Sequence, residues 1–516
     1  MTANSKNQSP TTDKGPAQTA HARLDPECEA VIVGAGFGGM GAAIALKRLG
    51  FENLVILERE DDLGGTWHVN RYPGLAVDIP SVAYSYSFEP NPNWSRLYAP
   101  GTELKKYTEH VAAKYDLRRL MRFNSVVEGA RWDEDNQYWI VNVANTESIT
   151  AKYLLTATGF LSQPRVPDIP GIDTFVGKVI HTTKWDDSYD LEGKKAAVIG
   201  TGATAVQLIP EIAPKLAELT VYQRTAIWVT PKQDGAIPPW LKTLFARFPV
   251  TQRAARFVGS GALELLMVTA VLHYKQAKRL NRLAESASKK HLARQIDDPE
   301  TRKKLTPDYD FGCKRPTFSN TYFPTFNRDN VHLETTPIDH IEPDGIVTTD
   351  GKKTKIDTLV LATGFNLWDV NFPAIEVIGR DGRNLGKWWR DNRFQAYEGV
   401  AVPYFPNFLT LASPYSYSGL SYFTTIESQM KHMDRLLGEV RRRGAATFEV
   451  TQQANDDFLA RMTKNLEDSV FNLGSCQTAR SYYFNQHGEA AILRPTSTFN
   501  AFREAGRFPL DAYAYK

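Results

Sequence analysis

EAVIVGAGFGGMGAAIALKRLG, running from Glu29 to Gly50, is the stretch that decides the fold of this chain. It opens with the apolar, β-branched residues Val31 to Val33, which are typical of a buried parallel strand. Three glycines, Gly34, Gly36 and Gly39, follow in GxGxxG spacing, and the alanine-rich run after them indicates a helix. Because glycine permits a tight turn and a close approach of the backbone, the free amides at the start of this helix can hold a pyrophosphate.

A carboxylate follows where a nucleotide site of this kind needs one. The next apolar strand, LVILE, ends in Glu58, about 20 residues beyond the glycines, where it can accept a hydrogen bond from a ribose hydroxyl. The strand, glycines, helix, second strand and terminal acid together predict a dinucleotide site. The alternative is a glycine-rich turn that binds nothing.

The same pattern occurs a second time with a different ending. KKAAVIGTGATAVQLIPEIA, residues 194–213, contains a strand and then Gly200 and Gly202 in a GxGxxA motif. The strand after it ends in Arg224 and Thr225 instead of an acid, and an arginine attracts a 2′-phosphate that a carboxylate would repel. We therefore expect FAD at the first site and NADPH, rather than NADH, at the second. The alternative for Arg224 is a solvated charge at a strand end.

Each nucleotide module ends in ATGF after an apolar strand, at residues 157–160 and 362–365. These motifs are interpreted as the points where the chain crosses between two domains. The expected fold class is α/β, with two Rossmann-like dinucleotide-binding domains and a helical insert in the second. The predicted limits are a disordered tail (1–26), the first part of the FAD domain (27–165), the NADPH domain (166–373) with its insert (236–310), and the second part of the FAD domain (374–516).

Composition narrows the class of protein. A length of 516 residues is too great for one core, and 42% hydrophobic with 23% charged residues is ordinary for a soluble globular protein. The net charge of +3 argues against a nucleic-acid partner. Cys28, Cys313 and Cys476 lie far apart and form no CxxC pair, so we expect no disulfide framework, zinc site or dithiol redox centre. A reducing, cytoplasmic location is therefore expected.

The most apolar stretch, Phe257 to Tyr274, is interrupted by Glu264 and His273. It falls short of the ~20 predominantly apolar residues that a spanning helix needs, so no transmembrane segment is expected. A buried or pocket-lining helix is favoured over a peripheral membrane contact. The helices of residues 236–310 are expected to form a cap over the substrate entrance.

The linker between the two glycine motifs carries a recognisable pattern. FVGKVIHTTKWDD, residues 175–187, matches FxGxxxHxxxW followed by Pro or Asp. The matching positions are Phe175, Gly177, His181, Trp185 and Asp186. This pattern, placed just before the second glycine motif, resembles the fingerprint of the type I Baeyer–Villiger monooxygenases, and the resemblance runs from about Ala30 to the C-terminus. We expect His181 to hold the geometry of the crossing and Trp185 to serve packing rather than chemistry.

The resemblance implies a reaction and a pair of residues for it. The family uses FAD, NADPH and O2 to insert one oxygen atom next to a ketone carbonyl, giving an ester or lactone through a flavin C4a-peroxide. Arg315 matches the family's active-site arginine, and Asp78 matches the carboxylate that pairs with it. A guanidinium does not lose its proton, so it can hold the peroxide as an anion.

The resemblance also assigns residues to the cofactors. Lys314 matches a lysine that helps to bind the 2′-phosphate, and Tyr482 stands where the family usually has a tryptophan at the NADP ribose. The expected cofactor-binding residues are Gly34, Gly36, Gly39, Glu58, Thr66, Trp67, Asp78, Tyr84, Val127, Gly200, Gly202, Thr204, Arg224, Thr225, Lys314 and Tyr482. No metal ligand is expected.

The sequence leaves three alternative functions to consider. A flavin-containing monooxygenase that oxidises sulfur or nitrogen needs a neutral hydroperoxide and no arginine, so Trp185, Asp78 and Arg315 together favour ketones. A pyridine-nucleotide disulfide reductase has two similar domains, but it would need the CxxC pair that this chain lacks. A flavoprotein that merely carries its flavin would not respond to NADPH.

Overall fold

A computed structural model gives the fold. It describes residues 24–417, 421–479 and 481–516, without the side chains of Leu263, Leu266, Met267 and Thr478. Of the tail expected at 1–26, residues 1–23 lie outside the described residues. The backbone amide of Leu24 donates to Asn136 (3.2 Å), and that of Glu27 donates to Thr150 (2.9 Å).

A βαβ unit lies at the centre of the first sheet. The elements of this part are β1 (Cys28–Val33), α1 (Phe37–Arg48), β2 (Leu54–Leu57), α2 (Thr66–Val69), α3 (Gly101–Lys114), β3 (Met121–Arg122), β4 (Val127–Asp133), β5 (Tyr138–Val143) and β6 (Ile149–Thr156). β1 pairs in parallel with β2 and β6. Almost every residue of β1 and β2 is buried, which explains their unbroken apolar sequences. The GxGxxG turn therefore sits at the carboxyl edge of this sheet.

A second, parallel sheet follows the linker. Its part of the chain begins with β7 (Lys178–His181), β8 (Lys195–Ile199), α4 (Ala203–Ile212), β9 (Glu218–Tyr222) and β10 (Val229–Thr230). After the insert it continues with β11 (Thr317–Phe318), α10 (Tyr322–Thr325), β12 (Val331–Glu334), β13 (Ile338–Glu342), β14 (Gly345–Thr348), β15 (Lys353–Lys355) and β16 (Thr358–Leu361). The strand order is β12-β9-β8-β16-β7, so the second glycine turn also lies at the carboxyl ends of parallel strands.

The insert between β10 and β11 is helical. Its elements are α5 (Pro239–Arg247), α6 (Pro249–Leu263), a π-helical turn (Glu264–Val268), α7 (Thr269–Leu272), α8 (Tyr274–Gln295) and α9 (Pro299–Lys304). The expectation of a buried helix from Phe257 to Tyr274 is correct only for its second half, where Val268 and Leu272 are buried. In its first half Phe257 is 80% exposed. Within the described residues, no helix combines the length and apolar character needed to cross a bilayer.

The chain then returns to the first sheet. The remaining elements are β17 (Glu376–Ile378), α11 (Leu385–Asn392), β18 (Phe408–Thr410), α12 (Tyr422–Arg443), β19 (Phe448–Val450), α13 (Gln452–Leu466), α14 (Gly474–Thr478), α15 (Thr498–Ala505) and β20 (Tyr513–Tyr515). β17 pairs with β4, and β18 pairs with β6. The first sheet is thus built from two separate parts of the chain.

The two crossings between the sheets lie side by side. The amide of Arg165 donates to the carbonyl of Gly364 at 2.9 Å, and the amide of Asn366 donates to that of Gln163 at 2.8 Å. Each ATGF motif also packs on its own glycine turn. Gly34 has φ +107°, and a Cβ there would lie 2.6 Å from the carbonyl oxygen of Ala157. These contacts explain why the same short motif ends both modules.

The cysteines contradict one expectation from the sequence. Cys313 and Cys476 form a disulfide across 163 positions, with their Cα atoms 4.8 Å apart. Cys28 is free and buried. The expectation of no disulfide was wrong because it rested on distance along the chain, whereas the pairing is made by the packing of α14 against the segment that precedes β11. The link ties the residues just before Arg315 to the C-terminal part of the chain.

Candidate active site

A large cavity of about 1890 Å³ lies between the carboxyl edges of the two sheets. It brings together nearly all the residues that the sequence singled out. The expected site residues that line it are Gly34, Gly36, Glu58, Thr66, Trp67, Asp78, Tyr84, Val127, Gly200, Gly202, Thr204, Arg224, Thr225, Lys314, Arg315 and Tyr482. Gly39 does not line it. A Cβ on Gly39 would collide with the carbonyl oxygen of Gly34, so its absence is what lets α1 pack against the turn.

The start of α1 is shaped for a phosphate group. Gly36 occupies the N-cap position, and the first turn contains no acidic residue. A Cβ on Gly36 would lie 3.6 Å from the Cα of Gly65, so a side chain here would narrow the space between the two glycine turns. Free amides and the positive end of a helix dipole attract an anion. These features fit the pyrophosphate of FAD.

The carboxylate of Glu58 is fixed at the same edge. It is 6% exposed, and its Oε2 accepts a hydrogen bond from the amide of Ala35 at 2.7 Å. Its Oε1 accepts one from the amide of Glu60 at 3.1 Å. These two bonds hold the carboxylate against the glycine turn, and each oxygen keeps a further lone pair for a ribose hydroxyl.

The start of α4 offers a second phosphate site. Gly202 is its N-cap, and again no acidic residue lies in the first turn. Arg224 is exposed on the cavity wall just beyond β9. Thr225 is held through its carbonyl, which accepts a hydrogen bond from Thr201 Oγ1 at 2.9 Å. Lys314 lies with its Nζ 5.2 Å from the centre of the Tyr309 ring. The cations Arg224 and Lys314 line the same cavity as α4, as a 2′-phosphate would require.

Arg315 and Asp78 form a two-pronged ion pair inside the cavity. Arg315 Nε donates to Asp78 Oδ2 at 2.7 Å, and Nη2 donates to Oδ1 at 3.1 Å. The side chains are 26% and 33% exposed. Burial opposes the charge on the guanidinium, but Asp78 and the nearby tyrosines outweigh it and raise the pKa of Arg315 well above its ordinary value. The arginine is therefore a permanent cation with a fixed orientation.

The sequence placed residues 414–419 in a loop at the flavin edge but did not single out Tyr417 as a partner of Arg315. Arg315 Nη1 donates to the Tyr417 hydroxyl at 3.0 Å, so this tyrosine holds the edge of the guanidinium that Asp78 does not reach. Tyr417 lines the cavity, and its ring packs against that of Phe160, 5.9 Å away. No motif marks it, since it lies in a loop far along the chain from Arg315.

Aromatic side chains flank the pair. The rings of Trp67 and Tyr84 meet edge to face at 5.5 Å, and Tyr84 also packs against Phe423 at 5.1 Å. Burial, followed by the charge of Asp78, raises the pKa of Tyr84 above its ordinary value. Tyr482 is 39% exposed, and its carbonyl accepts a hydrogen bond from Trp368 at 2.9 Å. This wall offers flat apolar surface for cofactor rings.

The linker residues make local contacts in the structure. His181 Nδ1 lies 2.8 Å from Thr183 Oγ1 and accepts a hydrogen bond from the amide of Thr183, while burial lowers the pKa of the imidazole. Trp185 packs against the apolar core of the second sheet. Asp186 accepts a hydrogen bond from Lys178 at 2.6 Å, and this bond lowers its pKa to about 2.

The insert does not contribute to this cavity. None of the described residues that line it belongs to 236–310. The expected cap over the substrate entrance is therefore not part of the cavity wall. The C-terminal segment does contribute, through Tyr482, Tyr483, Phe484 and Ile492. In the described part of the chain, no group of three or more His, Cys, Asp or Glu side chains is placed to hold a metal.

Comparison with known proteins shows which family has this sequence and this site. Residues 31–259 match the family model described as pyridine nucleotide-disulphide oxidoreductase. A Baeyer-Villiger monooxygenase of Streptomyces coelicolor is 37% identical over 96% of this chain and 93% of its own length. A Baeyer-Villiger monooxygenase of Pseudomonas aeruginosa is also 37% identical, over 99% and 95%.

This chain belongs to the Baeyer–Villiger monooxygenase family. Solved structures agree with the assignment. The closed form of cyclohexanone monooxygenase superposes with a TM-score of 0.83 at 28% identity, over 95% of this chain and 99% of that one. Steroid monooxygenase bound to NADP gives 0.84 at 29%, over 94% and 99%.

These findings confirm several expectations. The fold is α/β with two dinucleotide-binding modules, and this Baeyer–Villiger monooxygenase is a flavin-dependent enzyme that uses FAD and NADPH. Sulfur or nitrogen oxidation by a different monooxygenase class is not favoured. The match to the disulphide oxidoreductase model covers both glycine motifs and ends within α6. The Cys313–Cys476 pair, unlike a CxxC redox centre, joins distant segments.

Proposed function

We propose that Arg315 is the catalytic cation of this enzyme, that Asp78 orients it, and that the substrate is a small-molecule ketone converted to an ester or lactone. The observation that carries the proposal is the two-pronged Arg315–Asp78 pair inside the cavity that both nucleotide turns face. A planar guanidinium held at two points cannot turn away from its target, and a lysine could not be held in that way.

Bound FAD, reduced by NADPH, would supply activated oxygen at this site. The side chains of this protein would determine where charge is tolerated. Arg315 stays protonated throughout, so it can stabilise negative charge that develops beside it without taking part in proton transfer. Asp78 and Tyr417 occupy Nε, Nη2 and Nη1 with three hydrogen bonds. The aromatic wall around Trp67 and Tyr84 would help to exclude water once the cofactors fill the cavity, which would strengthen each electrostatic interaction in the site.

The preference for NADPH over NADH is proposed to rest on Arg224 and Lys314. Both line the cavity beside the start of α4, and neither position carries the acid that would accept a ribose hydroxyl. Two cations near one phosphate offer charge-assisted hydrogen bonds, which are about twice as strong as neutral ones. Thr204 and Thr225, on the same wall, are further donors.

A cytoplasmic location belongs to the proposal as well. Its support is the use of NADPH, a cofactor of the cell interior. The Cys313–Cys476 disulfide points the other way, because stable disulfides are uncommon in reducing compartments. Cell fractionation with thiol trapping before lysis tests both points, and recovery of the protein from the periplasm or medium would refute the location.

The decisive experiment for the reaction is a panel of cyclic, linear, aryl and steroidal ketones incubated with NADPH and air. The expected result is a product heavier by one oxygen atom, with NADPH consumed in equal amount. Under nitrogen, NADPH should bleach the flavin, and air should restore its colour. Bleaching without an oxygenated product from any ketone, together with sulfoxide formation from sulfides, would overturn the proposed substrate class.

A further inference from the structure

Helix α6 of the insert is amphipathic in the opposite sense to an ordinary surface helix. Its exposed positions recur three and four residues apart, which places them on one face. This outer face, followed into the π-helical turn, consists of Val250, Arg253, Ala254, Phe257, Val258, Gly261, Ala262 and Leu265. Only one of these residues is charged. A surface helix normally turns its apolar stripe toward the core.

The inner face of α6 carries the polar side chains. Gln252 is 2% exposed, and its Nε2 donates to the carbonyl of Asn91 at 2.7 Å. Arg256 Nη1 donates to the carbonyl of Ser85 at 2.5 Å, and its Nη2 lies 3.8 Å from Glu427 Oε2. These bonds fix the rotation of the helix. A rotation of α6 about its axis could not bury the outer face without breaking the contact between Arg256 and Glu427.

The exposed apolar surface extends beyond α6. The large apolar side chains exposed between residues 240 and 265 are Trp240 (66%), Phe248 (52%), Val250 (68%), Phe257 (80%), Val258 (69%) and Leu265 (66%). The start of α15 is held beside this surface, since Glu264 accepts hydrogen bonds from the amide and hydroxyl of Thr498, both at 2.6 Å. So many large apolar side chains exposed within one short segment are a feature of interaction sites.

The charged side chains of α5 and α6 are all basic, and the neighbouring Glu264 is bonded to Thr498. Residues 236–263 contain four basic residues and no acidic one. Arg247 and Arg253 are exposed, and Lys242 is partly exposed. Tryptophan and phenylalanine beside arginine and lysine are the combination that lies at the boundary between lipid headgroups and acyl chains. Cations at such a surface are attracted to anionic lipids.

We propose that α5 and the outer face of α6 form a monotopic docking surface for anionic phospholipid membranes. A second copy of the chain is a poorer occupant, because a twofold interface would bury cations of both copies and residues 236–263 offer no acid to pair with them. The N-terminal residues 1–23 are a poorer occupant as well, since they contain no Val, Leu, Ile, Phe or Trp. The sequence analysis favoured a buried helix over a peripheral membrane contact, and the outward apolar face of α6 reverses that preference.

Co-sedimentation with vesicles tests the proposal on the full-length, FAD-loaded protein. Vesicles of phosphatidylcholine with phosphatidylglycerol should pellet the protein, and added salt should release it. Vesicles of phosphatidylcholine alone should bind much less. The double variant Arg247→Gln, Arg253→Gln should weaken binding to the anionic vesicles by about 25-fold, since each cation at such a surface contributes about fivefold.

The variant Phe257→Asp should abolish pelleting with either vesicle. Its matched control is Val176→Asp, because Val176 is also 80% exposed but lies beside β7 on the second sheet. The control should bind like the parent, and all variants should keep the parent's melting temperature. Failure of the parent protein to pellet, or equal pelleting by Phe257→Asp, would overturn the proposal. So would a dimer that Phe257→Asp dissolves while no vesicle binds.

Discussion

Both carboxylate oxygens of Asp78 accept hydrogen bonds from Arg315, although 237 positions of chain separate the two residues. Asp78 precedes the short helical turn Ser81–Ala83 of the first module, and Arg315 precedes β11 of the second. The pair therefore joins the two nucleotide modules at the place where their cofactors would meet. Its integrity depends on both modules being folded and correctly docked.

Replacing Arg315 separates flavin reduction from oxygen insertion. Arg315→Ala should retain FAD and still consume NADPH, but ester formation should fall by about 10²–10³-fold, the usual cost of removing a group that stabilises developing charge. Product mass and NADPH consumption are measured together. Arg315→Lys is the companion variant, and it should recover little activity because an ammonium cannot make the two-pronged contact. Ester formation at the parent rate by Arg315→Ala would refute the role.

Replacing Asp78 tests whether it orients the Arg315 guanidinium, since the positive charge of Arg315 itself is retained. Asp78→Asn keeps the shape of the side chain but loses the ionic contact with Arg315 Nε and Nη2. Misplacement of a group in an active site commonly costs up to about 100-fold, so we expect a fall of about 10- to 100-fold in ester per NADPH consumed. Hydrogen peroxide released per NADPH is the direct measurement. Unchanged coupling in this variant would contradict the orienting role.

Tyr417 is expected to make a smaller contribution to the same pair. Tyr417→Phe removes only the hydroxyl that accepts from Arg315 Nη1. A hydrogen bond to a charged group contributes about 1.5–3 kcal/mol, which corresponds to a loss of at least about tenfold in ester formation. Tyr404→Phe, a tyrosine outside the cavity lining, is the control. The two variants should differ in coupling but not in FAD content.

Arg224 should set the preference between the two nicotinamide cofactors. Arg224→Ala should raise the KM for NADPH by about 10- to 100-fold, as expected for one charge-assisted phosphate contact, and leave the KM for NADH unchanged. Arg328→Ala, an exposed arginine of the same module outside the cavity, is the control. Steady-state flavin reduction with each cofactor is the measurement. Equal use of NADH and NADPH by the parent would contradict the assignment.

The Cys313–Cys476 disulfide should stabilise the fold. Closing a loop of 163 residues in the unfolded chain predicts a loss of about 3–5 kcal/mol in the free energy of unfolding when both cysteines are changed to serine. Thermal unfolding with and without reductant is the measurement, and only the parent should respond to reductant.

Cys28 provides the internal control for that experiment. Burial, and after it the charge of Glu27, raises the pKa of the Cys28 thiol to about 12, so it stays protonated and unreactive at neutral pH. Native protein should therefore take up no alkylating reagent, and reduced, unfolded protein should take up three equivalents, one for each cysteine in the chain. Alkylation of two thiols without reductant would show that the disulfide is not formed.

The repeated part of the fold was predictable because it is encoded locally. A buried strand, a glycine turn and a helix within about 30 residues leave few alternatives. Gly34, Glu58, Gly200 and Arg224 could be assigned in this way. The family fingerprint around His181 and Trp185 likewise occupies one short segment, so its position between two nucleotide modules could be seen from the sequence.

Features made by distant segments could not be predicted from spacing. Tyr417, the Cys313–Cys476 link and the outward apolar face of α6 each depend on which segments pack together. A cysteine pair 163 residues apart has no local signal. Similarly, periodicity places Phe257 and Arg256 on different faces of a helix, but it does not say which face meets the protein.

The sequence alone determined the two dinucleotide folds, the identity of their cofactors and the candidate charges, because turn geometry and strand-end chemistry are properties of contiguous residues. Only the tertiary structure decided that Asp78, Arg315 and Tyr417 meet in one cavity and that α6 turns its apolar side to the outside. The physical reason is that both outcomes depend on how the modules and the insert dock, and docking is governed by shape and burial over residues far apart in the chain.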